Sequence, residues 1–260
     1  MATACFLFPH PDDEFAVTAL IRDRRQAGIQ VSCIYLTDGA FGGQSSTRRR
    51  NEALRALAGL GIPAGDVHFL GEEQSIADGS LHLNLDKALQ ALRELPAVAE
   101  RPDEIFCPAW EGGHQDHDAV HLVALALNET LPLSRLRQYS IYHGAGLPGP
   151  LFHVMQPIAG NGPTEDRPGS LRERWQQVRF CMNYPSQWKS FLGLLPCVAW
   201  RMLSDGRLRL QAVDASRVWQ PPHAGAPLYE RRGFLRQAEF RRYADPFIVR
   251  RIACAGAAPT

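Results

Sequence analysis

Two short stretches, "HPDDE" at residues 10–14 and "EGGHQDHDAVH" at residues 111–121, gather the side chains best suited to chemistry. His10 and Asp13 lie three apart, so one turn can aim both at a single point, and His114 and His117 repeat that spacing. Histidine and carboxylate suit a divalent metal, above all zinc, which in catalytic sites takes three protein ligands and keeps one position for water. A carboxylate left unligated beside the metal can take a proton from that water, and Asp12 is such a residue. An activated water and a neighbouring base are the parts that hydrolysis of an amide or ester needs. Each stretch alone has a plainer reading. Pro11 and the acids around it also suit the first turn of a helix, and His-x-x-His is a weak pattern by itself. The two together, each at the end of a strand-like run and far apart in the chain, carry much more than either.

The elements that would position them follow from periodicity and turn signals. Residues 4–8, 31–37, 67–71, 103–110 and 136–143 read as strands; residues 14–27, 48–61, 85–98 and 118–128 read as helices. Gly28 stops the first helix and Asp38-Gly39 ends the second strand. Strands alternating with helices predict βαβ units, hence an α/β fold with a mostly parallel sheet and helices on both faces. Ligands bind such sheets beyond the carboxyl ends of the strands. The 10–14 cluster, Asp38 and the 111–121 cluster all fall at those ends, so they should converge on one rim. Residues 144–169, dense in Gly and Pro, are expected to be irregular over that rim, as a lid or as a plain insertion. Helical patterns follow at 170–183 and 184–195; beyond them the signals weaken to a hairpin around Asp205-Gly206 and a basic helix near 233–243. The whole chain, 1–260, is expected to be a single domain, with a core of about 4–195 and a less regular C-terminal elaboration at 196–260.

Composition narrows the class. Apolar residues make up 45% of 260, enough for a packed core, and the formal charge of +1 gives no general attraction to nucleic acid or membrane surfaces. No apolar run approaches the roughly 20 residues of a membrane span, and no signal peptide is expected. The six cysteines form no C-x-x-C pair, and Cys5, Cys33 and Cys107 sit in strand-like runs, so a reduced, cytoplasmic protein is expected.

The motifs "PHPDDE", "LTDG", "RRRNEALRALAGLGI", "VHFLG" and "GGHQDH" come in an order that resembles the LmbE-like or PIG-L superfamily of zinc-dependent de-N-acetylases, over about residues 4–130. "YPSQW" (184–188) is similar to a further short element of that superfamily. The resemblance implies a Rossmann-like fold and the removal of acetyl from an N-acetylated amino sugar of the N-acetylglucosamine type. By motif it implies His10, Asp13 and His117 as ligands of one zinc, Asp12 as general base, and His114 as the group that stabilises the oxyanion or protonates the amine. Asp116 would orient a histidine ring, and Arg49 or Arg50 would face the substrate. Such ligands also accept ferrous iron or cobalt. Pro9 stands where alanine is common, outside the ligand set.

Other residues are weighed lower. Asp38 and Glu111 are expected either to contact the substrate or to serve their loops; His121 and Glu14 are read as structural. Phe41 and Trp110 suit a sugar wall or core packing equally. Seven arginines between 231 and 251 are either a solvated face or a patch reaching the rim, in which case the small-molecule substrate is anionic. A homo-oligomer is compatible with the sequence. The rival readings are another metal-dependent amidase or phosphoesterase on the same residues, and an inactive sugar-binding protein.

Overall fold

The run from Thr3 to Phe8 offers no polar side to water; after Thr3 every residue in it is buried. It forms β1 (Thr3–Phe8), an interior strand of the sheet, in the computed structural model, which describes residues 1–252. In chain order there follow α1 (Thr18–Gln26), β2 (Gln30–Tyr35), α2 (Ser46–Ala58), β3 (Val67–His68), the one-turn α3 (Leu70–Glu73), α4 (Leu85–Glu94), α5 (Pro96–Ala99), β4 (Glu104–Pro108), α6 (Gln115–Ala126) and β5 (Leu136–Tyr139). Then come β6 (Tyr142–His143), β7 (His153–Val154), β8 (Thr164–Pro168), α7 (Leu171–Phe180), α8 (Trp188–Ser204), β9 (Arg207–Ala212), α9 (Leu228–Arg231) and α10 (Gln237–Phe247).

The sheet has seven strands in the order β3-β2-β1-β4-β5-β9-β8. The first five run parallel, and β9 is antiparallel to both its neighbours. Successive side chains of a strand point to opposite faces, and both faces are covered, as the alternation of elements predicts. Cys5 and Leu7 of β1 and Ile105 of β4 pack with α4, α6 and α10. Phe6, Phe8 and Phe106 pack with α1, α2, α7 and α8, and Phe6 stacks on Phe106 at 4.6 Å. Helix α6 is buried from Gln115 to Ala126: its second half, Leu122–Ala126, is apolar and lies in the core, while its first turns bring the buried Asp116, His117 and Asp118 to the site. The chain leaves β1 in one direction to β2 and β3 and returns on the other side as β4. A crevice therefore opens beyond the carboxyl ends of β1 and β4, the switch point of the sheet.

Several expected bounds shift for identifiable reasons. The first helix begins as a separate 3-10 turn, Asp13–Ala16, before α1. The strand expected at 67–71 ends at His68, and Leu70-Gly71 opens α3 instead. The strand expected at 136–143 breaks after Tyr139, because the Glu111 carboxylate accepts the N–H groups of Ile141 and Tyr142. The stretch 144–169 is not wholly irregular: it holds β7 and β8. No hairpin forms within the chain around Asp205-Gly206; Gly206, at φ 60°, turns α8 into β9, which pairs with β8. The basic helix lies at Gln237–Phe247 rather than 233–243. Part of the expected C-terminal elaboration, residues 253–260, lies outside the described residues.

The outer strands end the sheet in different ways. Strand β3 has only two residues, while β8, "TEDRP", exposes most of its side chains and closes on a proline.

At Gly71 the first turn of α3 lies directly against the backbone of Thr37, so a Cβ there would overlap it. Gly71→Ala is expected to destabilise the fold by about 3 kcal/mol, the upper end for overpacking, since backbone rather than a mobile side chain must yield. A urea melt measures it; an unchanged midpoint would mean that α3 is free to move away.

Candidate active site

Beyond Phe8 the chain turns sharply. Thr37, at the end of β2, donates its N–H and its hydroxyl to the Pro9 carbonyl, at 3.1 and 2.7 Å, so the exits of β1 and β2 are tied together. His10 N–H donates to Asp13 Oδ2 at 3.1 Å, closing the turn. Asp12 sits at its apex with φ 140° and ψ −17°, a conformation that L-residues avoid. Such strain costs roughly 1–3 kcal/mol and persists only where neighbours enforce it. The enforcing group is Arg49 of α2. Its buried guanidinium donates to the Pro11 carbonyl (2.6 Å), Asp12 Oδ1 (2.8 Å) and the Gly39 carbonyl (2.6 Å), and pairs with Asp78 at 3.3 Å.

The second cluster arrives from β4. Gly113 passes so close to the Tyr142 carbonyl that no Cβ fits, and the next residue, His114, caps α6. Its Nδ1 accepts the Asp116 N–H at 3.2 Å. Asp118 holds the preceding loop by accepting the N–H groups of Glu111 (3.2 Å) and Gly112 (3.0 Å).

The two clusters meet at His10. Its Nδ1 lies 3.1 Å from Asp13, and its Nε2 lies 3.1 Å from Asp116 and 3.2 Å from Asp78. His117 Nε2 is 3.5 Å from the other oxygen of Asp13. His10, His114 and His117 offer ligand atoms all within 4.8 Å of one another, and so do His10, Asp78 and Asp116. Asp116 is fully buried and also accepts the N–H groups of Gly79 (2.6 Å) and Leu81 (3.0 Å), fastening the loop that carries Asp78.

The electrostatics favour a cation. Burial lowers the His117 imidazole to about 3, so it is neutral with a lone pair to give, and its buried Nδ1 has no partner among the described residues. Burial likewise lowers His114. Burial alone would lower His10 too, yet Asp78, Asp116 and Asp13 outweigh it and hold the ring well above its ordinary value. Burial pushes Asp12 up to about 7 against the pull of Arg49. For Asp13 and Asp78 the adjacent imidazoles outweigh burial, and both carboxyls are lowered. Asp12, Asp13, Asp78 and Asp116 thus crowd around the single guanidinium of Arg49 and the His10 ring. That donor set fits a divalent metal.

His10, Asp12, Asp13, Arg49, Asp78 and His114 line one cavity of about 430 Å³. Its walls are aromatic: Phe15, Phe41, Tyr142, Phe152, Phe191 and Phe234. Gln187 of "YPSQW" reaches it and hydrogen-bonds Gln44; Tyr184 donates to the buried Glu14 at 2.9 Å.

Other candidates lie elsewhere. Arg50 points away from the cavity, to Glu72 at 3.0 Å and over the Phe69 ring. Asp38 serves its turn, accepting the N–H groups of Ala40 and Asp78 at 2.9 Å each. Glu111 is buried among backbone donors and the Ser140 hydroxyl, and burial pushes it up to about 8. His121 donates from Nδ1 to the Pro108 carbonyl at 2.9 Å, and Trp110 is core. Sequence reasoning missed Asp78. Its only signal is the dipeptide Asp78-Gly79, which reads as a plain turn.

Residues 5–128 match the PIG-L family, described as GlcNAc-PI de-N-acetylase. No curated protein matches the chain. Among solved structures it is similar to a deacetylase triple mutant of the teicoplanin biosynthetic pathway, with TM-score 0.61 and 18% identity over 82% of this chain and 98% of that one. It is similar to a conserved protein from Thermus thermophilus, with TM-score 0.55 and 20% identity over 81% and 94%. The N,N'-diacetylchitobiose deacetylase from Pyrococcus horikoshii gives TM-score 0.53 and 16% identity over 81% and 82%. At these identities the likeness bears on the fold.

Proposed function

Residues 5–128 being a PIG-L family segment, we propose that the chain is a metal-dependent hydrolase that removes the N-acetyl group from an amino sugar of the N-acetylglucosamine type and releases acetate. The observation that carries this is the meeting of His10, Asp13, His114 and His117 beside Asp12 at the switch point of the sheet, where His10, Asp12, Asp13 and His114 line one cavity and His117 stands behind Asp13.

On this reading His10, Asp13 and His117 would hold one zinc ion, and Asp116, bonded to His10 Nε2, positions that ring. A bound divalent ion would acidify a water and polarise the amide carbonyl. Asp12 takes the proton from the attacking water, and Arg49 fixes the direction of its carboxylate. His114 already accepts a backbone N–H at Nδ1, so the neutral ring carries its proton on Nε2. That N–H can donate to the carbonyl oxygen as negative charge develops there, and the proton taken up by Asp12 passes to the leaving nitrogen as the C–N bond breaks. The aromatic walls suit the apolar faces of a sugar ring, and the volume suits a sugar with a substituent.

Asp38 and Glu111 act through position, the first on the loop of Asp78 and the second on the bend that places Tyr142. The chain works as one deacetylase domain, in which the segment after 195 supplies Arg232 and Phe234 to the cavity. The free, buried Cys5, Cys33, Cys107 and Cys181 support a reducing compartment, the cytoplasm. Among the described residues no helix is long and apolar enough to cross a membrane.

The test is acetate release by the zinc-loaded protein from a panel of N-acetylglucosamine conjugates, run beside phosphate release from a generic phosphoester. Acetate with no phosphate is expected, abolished by chelation and restored by added zinc. Phosphate release alone would replace this reading with a phosphoesterase.

A further inference from the structure

Most arginines of the C-terminal segment serve the protein itself. Arg231 donates to the Leu147 carbonyl, Arg241 pairs with Asp245 at 3.0 Å, and Arg250 and Arg251 clasp Asp86 at 2.7 and 3.0 Å. Arg232 differs. Its guanidinium lies over the Phe152 ring, 4.8 Å from the centroid, with one N–H reaching the Pro150 carbonyl at 3.4 Å. It pairs with no carboxylate among the described residues, although it lines the cavity of the candidate site. Lys189 of α8 lines the same cavity, with its ammonium 5.8 Å from the Trp188 ring and no ion pair to an acid among the described residues. Both side chains are exposed, whereas Asp13 and Asp78 on the floor are buried or nearly so. The cavity is therefore acidic and ligand-like at its floor and cationic at its mouth. Neither cation falls in the segment that matches the family.

We propose that Arg232, assisted by Lys189, forms a subsite for an oxyanion, a carboxylate or a phosphate, carried on the substituent of the amino sugar. The proposal rests on the deacetylase reading and names the class of substrate for that site. Phe152 and Pro150 hold the planar guanidinium in place, so its remaining N–H groups can bind both oxygens of an oxyanion without much further ordering. The polarity also orients the substrate. An anionic end is drawn to Arg232 and Lys189 at the mouth, which leaves the acetamide free to reach His114 and Asp12.

The experiment compares kcat/KM of the zinc-loaded chain for three glycosides of N-acetylglucosamine with substituents of similar length: carboxypropyl, phosphoethyl and neutral butyl. At low ionic strength at least one anionic probe should be preferred over the butyl probe by about tenfold or more, the worth of a charge-assisted hydrogen bond. The larger of the two ratios names the oxyanion. The preference should shrink near 0.15 M salt, where exposed charges are screened over about 8 Å. Arg232→Gln should bring the ratio close to one, Arg232→Lys should keep part of it, and Arg232→Glu should invert it. Ratios near one for both anionic probes in the parent protein, or a ratio that Arg232→Glu does not lower, would overturn the subsite. If no glycoside were deacetylated, the deacetylase reading would fall, and dissociation constants for the same probes would still decide the subsite. Tighter binding of an anionic probe, lost in Arg232→Glu, would uphold it, and equal binding would end it.

Discussion

Asp12→Asn is expected to lower turnover at least about a hundredfold, the usual span for loss of a general base, while zinc content stays near that of the parent protein. The amide keeps an oxygen for Arg49, so the strained turn at residues 11–12 retains its clasp. What it loses is the ability to take a proton. The metal content makes the test specific. Among the described residues the Asp12 side chain bonds to Arg49 and to no histidine, whereas Asp13 touches both His10 and His117. Loss of zinc in Asp12→Asn would mean that the roles of the two adjacent acids are exchanged. Full activity would remove Asp12 from the mechanism.

His10→Ala, Asp13→Ala and His117→Ala are expected to fail at an earlier stage, by losing the metal. Atomic absorption on the purified variants should find zinc reduced by about tenfold or more, with acetate release falling at least in proportion, because a catalytic site with three protein ligands has none to spare. His114 provides the contrast. Its ring lies within the same 4.8 Å group of donor atoms, so distance alone would admit it as a ligand. Its Nδ1 is occupied by the Asp116 N–H, and the role proposed for it is donation from Nε2. His114→Ala should therefore keep zinc and lose about 3–4 kcal/mol of transition-state stabilisation, expressed in kcat more than in KM. Zinc loss in His114→Ala together with zinc retention in Asp13→Ala would replace one ligand set with the other.

The parts of this architecture that were legible in the sequence are those in which neighbours along the chain are also neighbours in space. Residues 10–14 and 111–121 could be placed on one rim because each directly follows a buried strand, and alternation with helices makes those strands parallel. The choice between Arg49 and Arg50 was legible in principle. The buried face of α2 runs through Ala53, Ala56 and Leu57, and Arg49 lies on it, whereas Arg50 is rotated away. Asp78 was not legible, because its importance comes from His10 and Arg49, contacts that leave no local pattern. The split of the fifth strand was hidden for a similar reason: Glu111, far back in the chain, takes the N–H groups of Ile141 and Tyr142. Strand β8 was missed because "TEDRP" has the composition of a loop, and only pairing with β9 makes it a strand.

That unpromising composition has a use at the border of the sheet. An edge strand presents unpaired N–H and C=O groups, which can template the addition of a strand from another molecule. At one border β3 is too short to offer a template, and at the other β8 shows Glu165, Asp166 and a terminal Pro168, which cannot donate a hydrogen bond to an incoming strand. Copies of this chain should therefore not associate by extending the seven-stranded sheet, and an oligomer is expected to form through other surfaces. The same reasoning sets a limit for engineering. Exchanging the charges of β8 for β-branched residues to stiffen the edge would favour β structure locally and at the same time create an adhesive border, trading solubility for strand propensity.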